Sequence, residues 1–148
     1  MEGNDKSQNL AAIRVRGLIQ VNSKIENTLR MLRLYKNNYC TVVPNTPNYI
    51  GMLKKTKDYI TWGEIDDETF KLLVNKRAEV FNGSEKDSKN KIKYNDYVLV
   101  ENKKIKKYFR LSPPRKGFER KGLKHSYQNG GALGYRGKDI NDLIKRML

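Results

Sequence analysis

Residues 12–64, AIRVRGLIQVNSKIENTLRMLRLYKNNYCTVVPNTPNYIGMLKKTKDYITWGE, read as strand, helix, strand, helix, strand. AIRVRG alternates: Ile13 and Val15 lie on one face and Arg14 and Arg16 on the other, the pattern of a half-buried strand with exposed arginines. In residues 22–35, Ser23 and Glu26 have the spacing of a capping box. Ile25, Thr28, Leu29 and Leu32 then recur at helical spacing, with Lys24, Arg30 and Arg33 off that stripe. YCTVVP is a second strand, stopped by Pro44. Thr46 suits a helix cap and Pro47 the first helical position, so residues 46–58 form a second helix carrying Lys54 and Lys55. Gly51 in mid-helix costs about 1 kcal/mol relative to alanine, which close approach to the sheet or to a partner would explain. In the third strand, YITWGE, Ile60 and Trp62 share one face and Tyr59 and Thr61 the other, which assigns Trp62 to the core.

Working outward, this order predicts an α+β sandwich in which two helices cover one face of a small, mainly antiparallel sheet, with a split β-α-β arrangement placing the third strand beside the first. Residues 11–81 make the core. It includes a third helix over residues 66–79, acidic at its start and basic near its end as the helix dipole favours. Residues 1–10 are expected to be a flexible tail. Residues 82–103 form a polar insertion in which residues 96–100 fit either a strand or a helix. KIKKYFRL, residues 104–111, reads as one strand with Ile105, Lys107, Phe109 and Leu111 opposite a basic face of Lys104, Lys106, Tyr108 and Arg110. At the end, Asp139 is the expected cap of an amphipathic helix whose stripe is Ile140, Leu143, Ile144, Met147 and Leu148. That helix must dock on the body, so residues 104–148 are a basic extension anchored at both ends.

Of 31 basic and 16 acidic residues, giving a net charge of +15, 12 basic residues and only Glu119 fall in residues 103–138. Within that region SPPRKGFERKGLKHSYQNGGALGYRGKD interleaves arginine, lysine and glycine with Phe118, His125, Tyr127 and Tyr135. Guanidinium groups bind phosphate with a fork of donors, and aromatic rings and guanidinium planes stack on unpaired bases. A merely solvated surface does not account for such concentration, so the stretch points to nucleic acid.

Enzymatic readings are weaker. Glu64, Asp66, Asp67 and Glu68 sit where a helix N-terminus favours anions, and a metal-dependent nuclease would draw further acids from separate elements, with Asp58 the one nearby candidate. His125 is the only histidine and lies among Lys121, Lys124 and Ser126, a setting for phosphate or base rather than for a nucleophile. NGGALGYRG lacks the Lys-Ser/Thr of a phosphate-binding loop. No catalytic residue, cofactor, metal or small-molecule substrate is expected. A sequence-specific DNA binder would need a basic recognition helix, whereas the charge gathers in a loop. The single Cys40 excludes a disulfide framework and a cysteine zinc site, and reads as a small core residue in a reducing compartment. No apolar run approaches the roughly 18 residues of a membrane span, and the N-terminus lacks a signal peptide's apolar segment, so a cytoplasmic protein is expected.

Two long segments, IRVRGLIQVNSKIENTLRMLRLYKNNYCTVVPNTPNYIGMLKKTKDYITWGEID and FRLSPPRKGFERKGLKHSYQNGGALGYRGKDINDLIKRML, closely resemble the large-subunit ribosomal protein family L-thirty, called L-seven in eukaryotes. The resemblance covers residues 13–77 and 109–148 and rests on RVRG, TLRMLRL, YIGML, DYITWGE, RLSPPR, GLKH and GGALGYRG in order. It implies a ferredoxin-like core, a structural role on large-subunit ribosomal RNA beside neighbouring ribosomal proteins, and no homo-oligomer in the assembled state. Length and extension resemble the archaeal form. The segment 82–103 matches no family motif, and Ser112 stands where the resemblance leads one to expect histidine, so Ser112 is assigned no role. An RNA-processing or RNA-chaperone protein outside the ribosome is the alternative.

The expected RNA contacts are Arg14, Arg16, Arg30, Arg33, Lys54 and Lys55 on the core. In the extension they are Arg110, Arg115, Lys116, Phe118, Arg120, Lys121, Lys124, His125, Tyr127, Gly130, Gly131, Gly134, Tyr135, Arg136 and Lys138. The cations would hold phosphates, His125 and Tyr127 would stack or bond to sugar or base, and the glycines would allow close approach to RNA.

Overall fold

The computed structural model describes residues 9–17, 19, 21–81, 88–89, 97–100, 103–118, 120, 122 and 125–148. Of the tail expected over residues 1–10, residues 1–8 lie outside the described residues, as do most of the insertion over residues 82–96, Lys121 and Lys124, whereas Leu10 is no tail residue: it is buried and opens the first strand of the sheet.

The core elements are β1 (Leu10–Arg14), α1 (Ser23–Met31), β2 (Tyr39–Val43), α2 (Pro47–Lys55), β3 (Ile60–Glu64) and α3 (Asp67–Arg77). Then follow β4 (Tyr97–Val100), β5 (Lys103–Lys106), β6 (Tyr108–Arg110), β7 (Gly134–Tyr135) and α4 (Ile140–Met147). β6, β2, β1, β3 and β7 lie in that order in a five-stranded sheet. β1 runs antiparallel to both β2 and β3, so the third strand of the core lies beside the first, as the split β-α-β reading requires. Among the described strands of this sheet only the short β7 pairs in parallel, with β3. The architecture is an α+β sandwich consistent with the ferredoxin-like fold.

β1 is buried along its whole length, not half-buried. Leu10 and Ala12 pack with Leu29, Leu32, Leu53, Ile60 and Trp62 under α1 and α2. Ala11 and Ile13 pack with Leu73, Phe109, Ile140, Leu143, Ile144 and Met147 under α3 and α4. Helices therefore cover both faces of the central strand. Ile140, Leu143, Ile144 and Met147 are fully enclosed, each contributing about 1.5–3 kcal/mol relative to exposure. Trp62 and Cys40 lie in the core as expected.

Three local expectations change. The N-cap of α1 is Asn22, whose side chain accepts from the Lys24 N–H at 2.9 Å, in place of Ser23. Residues 104–111 are two strands, because different neighbours anchor the two halves. β5 pairs with β4 in a separate sheet and bonds to residues 79–81, whereas β6 joins the main sheet beside β2, and the chain bends at Lys107. Asp139 precedes α4, but its carboxylate accepts the Tyr127 hydroxyl rather than a helix N–H. The anchoring of α4 falls to Asn141. Its Nδ2 donates to the Glu64 and Lys138 carbonyls at 3.1 and 3.0 Å, and its Oδ1 accepts the Asp66 N–H at 3.0 Å. Where this junction crosses β3, a Cβ on Gly63 would lie 1.9 Å from the Gly137 carbonyl oxygen, so only glycine fits.

Candidate nucleic-acid interface

After β6 the chain is stitched to the end of α4. The Ser112 and Arg115 N–H groups donate to the Met147 and Arg146 carbonyls at 3.1 Å each. Arg146 Nη1 donates back to the carbonyls of Gly117 at 2.8 Å and Arg115 at 3.3 Å. These bonds satisfy carbonyls that a helix C-terminus leaves open. They hold a tight turn closed by the Gly117 N–H on the Pro114 carbonyl, with Lys116 in the left-handed region at φ 66. Arg115 and Lys116 are exposed on it. Arg77 Nη2 donates to Ser112 Oγ at 2.7 Å, a role for Ser112 that no sequence signal indicated.

Residues 134–136 lie along β3. Thr61 faces Gly134 and Trp62 faces Tyr135 across the parallel pair. Thr61 Oγ1 donates to the Gly134 carbonyl at 2.9 Å and accepts from Arg136 Nε at 2.8 Å. Arg136 Nη2 donates to the Ala132 carbonyl at 2.9 Å, and its guanidinium sits 4.8 Å from the Tyr127 ring centroid. With 4% of its surface exposed, Arg136 is a clamp inside the protein rather than a phosphate ligand. Its donors are already spent on the fold, and withdrawing them would leave buried acceptors unmatched. Gly131 is corrected in the same sense: a Cβ there would lie 2.1 Å from the His125 carbonyl oxygen, so internal packing demands the glycine. Gly130 and Gly134 supply left-handed backbone at φ 90 and 87. Phe118 packs on Val15, Ala132 and Leu133. Tyr127 is held by Asp139 and Arg136. Tyr135 remains 47% exposed while its hydroxyl donates to Glu64, a bond that pushes the phenol pKa up to about 12.

Arg14 is the largest departure. It points under α1 and is 1% exposed. Its Nη1 donates to the Leu34 and Tyr35 carbonyls at 2.8 and 3.3 Å, Nε to Arg16 at 3.0 Å and Nη2 to Gly17 at 3.2 Å. Burial lowers its pKa, opposed by the Glu26 and Tyr59 charges. The alternation that suggested an exposed face omits the connection after α1. There Arg33 takes φ 64, its N–H donates to the Arg30 carbonyl and the Leu34 N–H donates to Leu29, so the chain turns back over Arg14.

The other core cations divide. Arg16 is half-buried, 5.2 Å from the Tyr59 ring centroid and donating to the Asp58 carbonyl at 3.4 Å. Arg30 is exposed and pairs with Glu26 at 3.2 Å. The basic face expected over residues 104–111 is partly neutralised, because Glu79 takes both Arg110 and Lys106. Burial pushes the Glu79 carboxyl up, but the hydrogen bonds from those two cations outweigh it and hold its pKa below the ordinary value. Lys54 and Lys55 are exposed on α2.

The structure thus brings Arg115, Lys116, Arg120, His125 and Lys138 to the surface of the extension. A cleft of about 370 Å³ opens between Lys57–Asp58 and residues 126–135, lined by Trp62, Gln128 and Tyr135 among others. Two of the carboxylates weighed for a nuclease are otherwise engaged: Asp66 caps α3 through the Thr69 N–H at 2.8 Å, a bond that lowers its pKa, and Glu64 accepts Tyr135. Among the described residues no group of three or more His, Cys, Asp and Glu side chains could hold a metal, and no helix is long and apolar enough to cross a membrane.

Residues 10–60 match the family described as ribosomal protein L30p/L7e. The chain is 42% identical to the large ribosomal subunit protein uL30 of Methanopyrus kandleri, over 90% of this chain and 100% of that protein. It is 42% identical to that of Nanoarchaeum equitans, over 93% of this chain and 97% of the relative, and 41% identical to that of Methanococcus maripaludis, over 93% and 98%. All three are archaeal. At these identities along nearly the whole length, with the split β-α-β sheet in place, the chain belongs to the ribosomal protein L30p/L7e family.

Proposed function

We propose that this chain is a structural, non-catalytic constituent of the large ribosomal subunit in the cytoplasm, and that it stabilises folded ribosomal RNA through its basic extension. The observation that carries the reading is the separation of two kinds of cation. Arg14 and Arg136 are consumed by the fold, whereas Arg115, Lys116, Arg120 and Lys138 are exposed and, among the described residues, have no ion-pair partner. Backbone bonds to α4 and β3 hold the segments that carry most of them. A cation on a pre-organised backbone reaches a phosphate with little further ordering cost. His125 is available to sugar or phosphate, and the exposed face of Tyr135 to an unpaired base. The names of the relatives support the ribosomal setting.

The test is equilibrium binding of the full chain to protein-free large-subunit ribosomal RNA across salt concentration. Neutralising about six phosphates predicts a slope of log affinity on log salt of about −4 to −5. Replacing Arg115 and Lys116 together by alanine should flatten that slope by about 1.5. Affinity independent of salt would overturn the reading.

A further inference from the structure

α2 carries a feature the fold does not use. Gly51 lies in its middle, is exposed, and no other part of the described chain comes within 4 Å of the place its Cβ would occupy. The backbone there is helical, with φ outside the left-handed region, so no conformational need selects glycine. Nor does the sheet approach, which removes one of the two explanations the sequence allowed. Glycine in an exposed helix interior is among the least favourable choices, so its presence needs a reason outside the chain.

The surroundings indicate what that reason is. Advancing by about 100° per residue, Pro47, Asn48, Gly51, Lys54 and Lys55 occupy one arc of α2, with Gly51 at its centre. All five are exposed, while Tyr49, Ile50, Met52 and Leu53 turn inward. The face is thus a notch one side chain deep, with an amide one turn before it and two lysines one turn after it. α2 contains no acidic residue; Lys57 and then Asp58 follow its C-cap, Thr56. We infer that the outer face of α2 is a second RNA-docking surface, on which a sugar-phosphate strand lies in the Gly51 notch with its phosphates held by Lys54 and Lys55. This rests on the proposal that the chain binds ribosomal RNA, and it names a contact away from the extension. A protein neighbour would fill the notch as well in shape, but this cationic rim favours a polyanion.

The discriminating substitution is Gly51→Lys, tested in the full chain against protein-free large-subunit ribosomal RNA. If charge alone governed this face, an added cation would tighten binding severalfold. If a strand occupies the notch, the added side chain displaces it, and affinity should fall at least tenfold despite the extra charge. Gly51→Ala controls for folding: it and Gly51→Lys should each raise the melting temperature of the free protein by a few degrees, since both remove a poor helix former from an open site. Unchanged or tighter RNA binding by Gly51→Lys overturns the inference and leaves the proposed function standing if the wild-type protein binds with its steep salt slope. Unchanged binding to bare RNA combined with failed incorporation into subunits would assign the notch to a protein and equally overturn it. A lowered melting temperature of Gly51→Ala would also overturn it, by showing that the fold does use the glycine.

Discussion

Replacing Arg14 by methionine separates its two possible roles. Methionine keeps most of the stem volume and removes the guanidinium, which leaves the Leu34, Tyr35, Arg16 and Gly17 carbonyls without that donor. Hydrogen bonds to a charged group contribute about 1.5–3 kcal/mol each when measured singly, but four on one rigid fork are not additive, and partial rehydration of the outer carbonyls recovers part of the loss. Truncating one side of a buried charged network typically costs about 3–5 kcal/mol, and Arg14, 1% exposed, belongs in that range. Against a domain stability of about 5–15 kcal/mol the effect is large. With a urea slope of about 2 kcal/mol/M, the midpoint should fall by about 2 M. The assay is urea unfolding of the free full chain by circular dichroism. Arg14→Lys should recover less than half of the loss, because an ammonium lacks the planar fork that reaches all four carbonyls. A midpoint shift below about 0.5 M, together with a tenfold drop in RNA affinity, would refute the structural assignment and restore Arg14 as a surface ligand.

Two further outcomes follow from the packing. Gly131→Val should destabilise residues 125–135 in the free protein, seen as increased amide exchange there, because its side chain would enter the His125 carbonyl; unchanged protection would return Gly131 to a contact role. Cys40, fully enclosed, has its thiol pKa pushed up to about 12 by burial. It should be inert to a disulfide reagent at pH 8 until urea unfolds the chain. Because the folded pKa is the higher one, its stabilising contribution is whole below the unfolded thiol value near 8.5 and fades as pH rises toward 12. Rapid modification of the native protein would contradict this.

Periodicity and charge are properties of neighbours along the chain, and these were legible in the residues, whereas of the expected caps only Thr46 caps its helix through its side chain. Alternation placed β1 and β3, Thr46 and Pro47 placed the start of α2, and the stripe of Ile140, Leu143, Ile144 and Met147 required α4 to dock. The concentration of cations in residues 103–138 pointed to a polyanion as the expected partner, and the ordered motifs pointed to the family. What the linear pattern could not contain was the environment of any single charge. Arg14 and Arg16 look alike in RVRG, yet one is enclosed by the turn after α1, twenty residues away, and the other rests half-buried on Tyr59. Arg136 sits among glycines like any phosphate ligand, but Thr61, 75 residues earlier, takes its Nε. Gly131 and Gly51 are equally silent as letters; one is required by a carbonyl 2.1 Å away and the other meets nothing. Local sequence thus determined most of the helices and the central strands and the sign of the surface, but not the division of residues 104–111 into two strands or the strand at residues 134–135. Only the tertiary structure decided which cations and glycines the fold consumes, because burial and hydrogen bonding are set by chain segments that meet only after folding.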